Sequence, residues 1–433
     1  MKRRSFLKKT TIATAGAFSI PYILPSGRLF AASGNRIANH VVFCLFAGGV
    51  RNIESVEKDK GNLMPRILSG NESISPLIAG GMSALTPMSG SSLQSQGTLY
   101  RNFRYAQGPT GHFNGHTTAM TGHYTLVDLN IKQPPKFPTI FEYYRKHNSP
   151  SNSALNAWWI ANMLGPYPSL NFSSYPGYGA MYGANFMQPG SIISQAGLSA
   201  LSNPINLSQA QSNKVTDLQG LFNSNFRKPS SVAQDSVENA PENVARIQNF
   251  IKNMLIQASS GQFNNPYGVG AATNADMYNI FFAEKVIEEF KPELLVVNMQ
   301  GVDICHFNYT EYCDNLRKAD FAVGQLWNRI QNTPGMANDT ILIVAPEHGR
   351  NLEPNNLVDA FGQRAIDHTS DNTSREIFSL IVGPSGKVIQ NQSISQTTGE
   401  SIDIVPTIAN ILGFKDDIPA GMLPGRHLNE AFL

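Results

Sequence analysis

The stretch Asp339-Thr340-Ile341-Leu342-Ile343-Val344-Ala345-Pro346-Glu347-His348-Gly349-Arg350 decides how this chain is read. Ile341 to Ala345 is an unbroken apolar run rich in β-branched residues, the pattern of a strand buried on both faces. It stops abruptly at an acid, an imidazole and a glycine. In open parallel sheets, ligands sit beyond the carboxyl ends of the strands, so Glu347 and His348 stand where chemistry is placed. A carboxylate beside an imidazole is a donor pair suited to Zn²⁺ or a similar divalent ion.

Two other strand ends extend the pattern. Leu294 to Met299 runs into Gln300-Gly301-Val302-Asp303-Ile304-Cys305-His306, again an apolar run delivering a carboxylate and an imidazole. His40 to Phe46 ends in Ala47-Gly48-Gly49-Val50-Arg51-Asn52, where glycine permits a tight turn and close backbone approach. Arg51 there could orient an anionic substrate through its planar guanidinium. Between these strands, Gly108-Pro109-Thr110-Gly111 leads into His112-Phe113-Asn114-Gly115-His116, and His112 and His116 share a face if the segment is helical. Further on, Ala365-Ile366-Asp367-His368-Thr369 is a polar loop with one more imidazole.

Helical spacing is clear in 242–257, 276–290 and 315–330, and Pro138-Thr139 opens another helix with proline in its first turn. Strands are expected at 154–161 and 377–384, and a helix with a glycine stop at 401–413. Met120, Tyr143 and Tyr144 read as core. Residues 166–190 are rich in Gly, Tyr, Pro and Asn, and 191–240 in Ser, Asn and Gln; 166–240 is expected to be an insertion or lid.

Charged residues make up only 15% of the chain against 41% apolar, as in a globular protein with a sizeable core. A net charge of +2 gives no reason to expect a nucleic-acid partner. Three cysteines are too few for a disulfide scaffold, although Cys305 and Cys313 could pair on oxidation. The N-terminal Lys2-Arg3-Arg4-Ser5-Phe6-Leu7-Lys8, with a weakly apolar region and Ala31-Ala32 after it, reads as a twin-arginine signal over 1–32. Pro21 and Pro25 break the apolar run short of the roughly 20 residues a spanning helix needs, so no transmembrane segment is expected after signal removal. That leaves 33–433 as the folded unit, exported to the periplasm or beyond.

Taken in order, Asp303 and His306, Glu347-His348-Gly349, His368 and Asp403-Ile404-Val405-Pro406-Thr407-Ile408 resemble the motifs of the alkaline-phosphatase/sulfatase superfamily. They are closer still to its uncharacterised twin-arginine-exported branch, whose Asp-Thr-His, Ser-Glu-Phe-Gly-Arg and Asp-His-Trp motifs resemble Asp303-Ile304-Cys305-His306, Pro346-Glu347-His348-Gly349-Arg350 and Asp367-His368-Thr369. The resemblance implies an α/β fold with a mainly parallel central sheet sandwiched between helix layers. It also implies two divalent ions that clamp a phosphate or sulfate ester. One ion would take Asp303, His306 and His368; the other would take Glu347 and His348 with an early Asp and a Ser, Thr or formylglycine nucleophile.

This chain departs from that pattern. The early acid falls at Ala47 or Gly48, the nucleophile slot falls on His112, and Asp303 and His306 are three apart where phosphodiesterase members have four. His112 could be a covalent nucleophile, a replacement ligand, a general base or a structural residue. The expectation is a hydrolase of a small anionic ester, acting by metal-activated water or an atypical nucleophile, with zinc first and calcium or manganese as alternatives. The rival is a non-catalytic exported binding or assembly protein that keeps the fold.

Overall fold

The structure is a computed structural model. It describes residues 34–433 apart from 89, 130–133, 149–153, 163–169, 194–236, 238 and 370. The strands are β1 (His40–Phe46), β2 (Gly97–Arg104), β3 (Ala157–Ile160), β4 (Asn185–Met187), β5 (Leu294–Met299), β6 (Thr340–Pro346), β7 (Glu376–Val382) and β8 (Gln392–Glu400). The helices are α1 (Pro76–Ala79), α2 (His112–Thr121), α3 (Ile140–His147), α4 (Pro189–Ile193), α5 (Pro241–Ser259), α6 (Ala275–Phe290), α7 (Tyr309–Asn332) and α8 (Ile404–Ile411).

The strands form one eight-stranded sheet in the order β4-β3-β5-β1-β6-β7-β2-β8. From β4 to β6 every pairing is parallel, and β7 alone runs the other way, antiparallel to both β6 and β2. The central strands are buried on both faces, which is why they read as continuous apolar runs. Alternate residues feed two cores. Val42, Cys44 and Phe46 point to the side covered by α5, α6 and α7, while Val41, Phe43 and Leu45 face α2, α3 and α8. Helices therefore cover both faces of a mainly parallel sheet, as expected. α3 starts where its sequence directs: Thr139 Oγ1 accepts from Glu142 N, and the Glu142 side chain accepts from Thr139 N, closing a capping box.

Two elements differ from expectation. The segment read as a surface excursion contributes the edge strand β4, with Phe186 and Met187 buried. Three residues are too short to show a strand period, so only the pairing with β3 reveals it. The polar edge strand β8 was also unassigned. Its sequence, QSISQTTGE, buries no residue fully and carries no apolar alternation. The remainder of the expected lid, 194–236, and the export signal at 1–32 lie outside the described residues. Cys44, Cys305 and Cys313 are buried free thiols. No helix among the described residues is long and apolar enough to cross a membrane.

Candidate metal centre

Strands β5, β1 and β6 are neighbours, and their last residues are in register: Phe46 lies opposite Met299 on one side and Pro346 on the other. Whatever follows each strand therefore emerges on one rim. After β6 comes Glu347-His348. After β5, a 3-10 turn over Gly301–His306 carries Asp303 and His306. After β1 come two glycines, and their lack of a side chain is what closes the site. Gly48 has φ +119°, and a Cβ there would lie 2.6 Å from Asp303 N. Gly49 has φ +80°, and its Cβ would lie 2.7 Å from His348 Nδ1. An acid at position 48 is thus sterically barred, and the Gly48 backbone N–H instead donates to Glu347 Oε1 at 2.5 Å.

Helix α2 brings its first residue, His112, onto this rim from the other layer. The helix seats closely because residue 115 is glycine; a Cβ there would be 3.0 Å from Glu347 Cβ. His112 bridges two strand ends, with Nδ1 2.7 Å from Glu347 Oε1 and Nε2 2.8 Å from Asp303 Oδ1. His368 arrives from the loop before β7 and stands between the other imidazoles. Its Nε2 is 3.0 Å from His112 Nε2 and 2.8 Å from His306 Nε2. Two donor groups result, one of His112, Asp303, His306 and His368, the other of His112, Glu347 and His348.

Proton accounting tests whether these donors fit a cation. His368 Nδ1 lies 2.6 Å from Thr110 O and His348 Nδ1 lies 2.7 Å from Gly349 O, so each carries its proton on Nδ1 and turns a bare Nε2 inward. His306 Nδ1 is 2.6 Å from the Asp367 carboxylate, which fixes that ring in the same sense. Its Nε2 faces His368 Nε2 and, at 3.3 Å, Asp303 Oδ1. Electron pairs of two imidazoles and a carboxylate meet at one point, and such a point needs a positive charge, a proton or a metal ion. His348 Nε2 is buried and has no hydrogen-bond partner; the nearest charged atom is Glu347 Oε1 at 3.3 Å. A buried lone pair left unpaired is costly, so this atom too fits a ligand role. The histidine-rich donor set suits zinc or a similar transition ion better than calcium, which takes oxygen ligands.

The electrostatics agree with that arrangement. Burial, then the positive field of neighbouring groups, holds His368 neutral, and burial likewise pushes His348 down to about 3. Burial also opposes charge on His112, but Glu347 and Asp303 overcome it and raise this imidazole to about 9. Burial opposes charge on Asp303 and Glu347 too, but His112 and His306 beside Asp303, and His116 and His112 beside Glu347, hold both well below the usual carboxylate range.

Of the residues expected at the site, His112, Asp303, His306, Glu347, His348 and His368 come together. His116 lies one layer deeper, fully buried, with Nδ1 on Glu347 Oε2 and His112 O and with Nε2 2.8 Å from Asn298 Oδ1. It braces Glu347 and does not face the open side. Arg51 does not fit its expected role, because its guanidinium is consumed. It pairs with Glu54 through two nitrogens and donates to the carbonyls of Asn351 and Leu352 at 2.9 and 3.1 Å. Sequence reasoning passed over Arg350, the last residue of the motif. Fully buried, it donates to Gly48 O, Gly49 O, Val302 O and Ile366 O and to Asp303 Oδ1 at 3.1 Å. It ties three strand ends and the His368 loop together. The second-layer acid Asp367 was visible only as the neighbour of His368.

No protein-family model matches the chain, and no curated protein matches it in sequence. Solved structures do show a likeness. A protein in the alkaline phosphatase superfamily from Vibrio parahaemolyticus is 12% identical, with a TM-score of 0.43 over 95% of this chain and 76% of its own. The lipoteichoic acid synthase LtaP from Listeria monocytogenes is 11% identical, with a TM-score of 0.43 over 97% of this chain and 81% of its own. The alkaline phosphatase PafA is 11% identical, with a TM-score of 0.48 over 92% of this chain and 99% of its own.

Proposed function

We propose that this chain is an exported hydrolase of phosphate or sulfate esters, phosphate before sulfate, that depends on a divalent metal, zinc first. The observation that carries the reading is the convergence of four imidazoles and two carboxylates, drawn from four separate segments, on one rim of the sheet. Asp303, His306 and His368 would hold one ion, and Glu347 and His348 a second, with His112 between them. A bound ion of this kind supplies charge for the ester's non-bridging oxygens and lowers the pKa of water.

The chain's own residues do the rest. The threonines nearest the slot, Thr110, Thr117 and Thr118, are all buried, and Thr110 Oγ1 donates to His368 O and Thr118 Oγ1 to Asn114 O. The residue in the nucleophile slot is His112. With Nδ1 anchored on Glu347, its Nε2 is the atom that exchanges a proton with attacking water or with the leaving oxygen. Asp303 and Arg350 hold that nitrogen in place. The twin-arginine pattern at Lys2-Arg3-Arg4 supports export; replacing Arg3 and Arg4 with lysine should leave the protein in the cytoplasm if that signal directs it.

The test is elemental analysis of the purified protein together with hydrolysis of p-nitrophenyl phosphate and p-nitrophenyl sulfate, in the parent and in His368→Ala. Stoichiometric zinc and a turnover lost in the variant are expected. Metal-free protein that stays inert with added zinc would overturn the enzyme reading and leave the second one, a non-catalytic exported binding protein. That alternative has one observation in its favour: His112 pairs with both Glu347 and Asp303 through its two ring nitrogens.

A further inference from the structure

Beside the metal centre lies a cavity of about 740 Å³ whose wall includes Asp303 itself. It is bounded by the turn after β5 (Gln300, Gly301), the start of α6 (Ala275, Asp276) and Ile193 at the end of α4. A volume of this order is that of a small-molecule site. Its position has a consequence: an ester whose reacting oxygens sit at Asp303 has this space for its organic part.

The wall's chemistry says what that part is. Apart from Asp303, which belongs to the donor group, the charged side chain among the described residues that line it is the carboxylate of Asp276. A second phosphate, a nucleotide's polyphosphate or an anionic lipid headgroup would meet like charge at Asp276, which is costly. Asp276 is buried and fixed: Oδ1 accepts from Gln300 N at 2.7 Å and Oδ2 from Gly301 N at 2.8 Å. Each oxygen has a second lone pair, so this carboxylate is a preorganised acceptor of O–H groups. The Gln300 side-chain amide has no hydrogen bond among the described residues and offers both a donor and an acceptor. Tyr278 and Ile193 add apolar surface. The Asn162 amide is already engaged, donating to Ala275 O at 2.8 Å and accepting from Gly190 N at 3.1 Å.

We infer that this cavity is the leaving-group site and that it takes a non-anionic polyol, of the size of one or two sugar rings, whose hydroxyls are read by Asp276 and Gln300. The inference rests on the hydrolase reading for the word leaving group, but binding of the free alcohol does not. The experiment therefore has two readouts. Saturation-transfer NMR with methyl α-glucoside, and with ethanolamine as a small cationic alcohol, measures binding to the full chain without turnover. Hydrolysis of glucose 1-phosphate and of p-nitrophenyl phosphate measures use of the site.

The glucoside is expected to bind, and Gln300→Ala and the cavity-filling Ala275→Phe should each weaken it about tenfold. Both variants should raise KM for glucose 1-phosphate while leaving its kcat near the parent's. Glucoside binding that the two variants leave unchanged, or ethanolamine bound in its place, would overturn the polyol assignment even in an active enzyme. Glucoside binding in a protein that hydrolyses nothing would instead remove the hydrolase reading and keep the cavity as a polyol site.

Discussion

His112 Nδ1 and Glu347 Oε1 lie 2.7 Å apart although 235 positions separate the two residues. The same ring reaches Asp303 with its other nitrogen, so one imidazole spans carboxylates from two strand ends. Its pH behaviour follows. Raised from 6.5 to about 9, His112 keeps in the folded, metal-free protein a proton that the unfolded chain has released. The folded state then binds more protons within that window, so the stabilisation is complete below about 6.5 and is lost as pH rises through about 9. The slope is at most about 1.4 kcal/mol per pH unit. Urea midpoints of metal-free protein from pH 6 to 9.5 should fall over this range, and His112→Asn should flatten the fall. Zinc competes with protonated His112 for Asp303 and Glu347, so its affinity should rise with pH across the window.

Asp367 lies outside both donor groups and still orients a member of one. Its carboxylate, 2.6 Å from His306 Nδ1, fixes which nitrogen of His306 faces the cluster. Outer partners of this kind are worth about 10–100-fold in metal affinity. Asp367→Asn is expected to weaken one of two zinc sites by that factor, seen in competition with a chromophoric chelator, and to leave the site at Glu347 and His348 unchanged. Equal weakening of both would mean that the two donor groups act as one.

Much of this was legible in the sequence because parallel strands buried on both faces announce themselves as apolar runs, and their carboxyl ends sit next to those runs. Asp303, His306, Glu347 and His348 were found that way. His368 has no such marker and came from the order of motifs alone. Arg51 misled because a guanidinium after a Gly-Gly turn looks free; Glu54, three residues on, takes it, and only folding shows that both are buried. Edge strands β4 and β8 were missed for the opposite reason, since a short or polar strand has no apolar period to read.

Gly48 tests whether the missing acid is an accident of substitution. At φ +119°, with Asp303 N 2.6 Å from any added Cβ, Gly48→Ala must move the turn that carries Asp303. Backbone strain alone costs about 1–3 kcal/mol. Gly362 is the control, having φ +75° but nothing within 4 Å of its Cβ position. Both alanine variants should lower the melting temperature, and only Gly48→Ala should lose zinc. Zinc retained in Gly48→Ala would show that Asp303 is not a ligand.

Arg350 carries the last prediction. Its donors serve four backbone carbonyls and Asp303 at once, and no ammonium can copy that spread, because lysine offers three donors from a single point. Removing the guanidinium leaves four carbonyls without their donor and Asp303 without one of its partners. Arg350→Met should therefore unfold at much lower urea than the parent, whereas Arg350→Lys keeps a cation near Asp303 and should retain part of that stability. The informative comparison is made in folded Arg350→Lys. If Arg350 sets the positions of Asp303 and the His368 loop, zinc affinity drops in this variant more than its stability loss explains, and the site at Glu347 and His348 is spared. If zinc binding instead follows stability alone at both positions, Arg350 only ties the strand ends together.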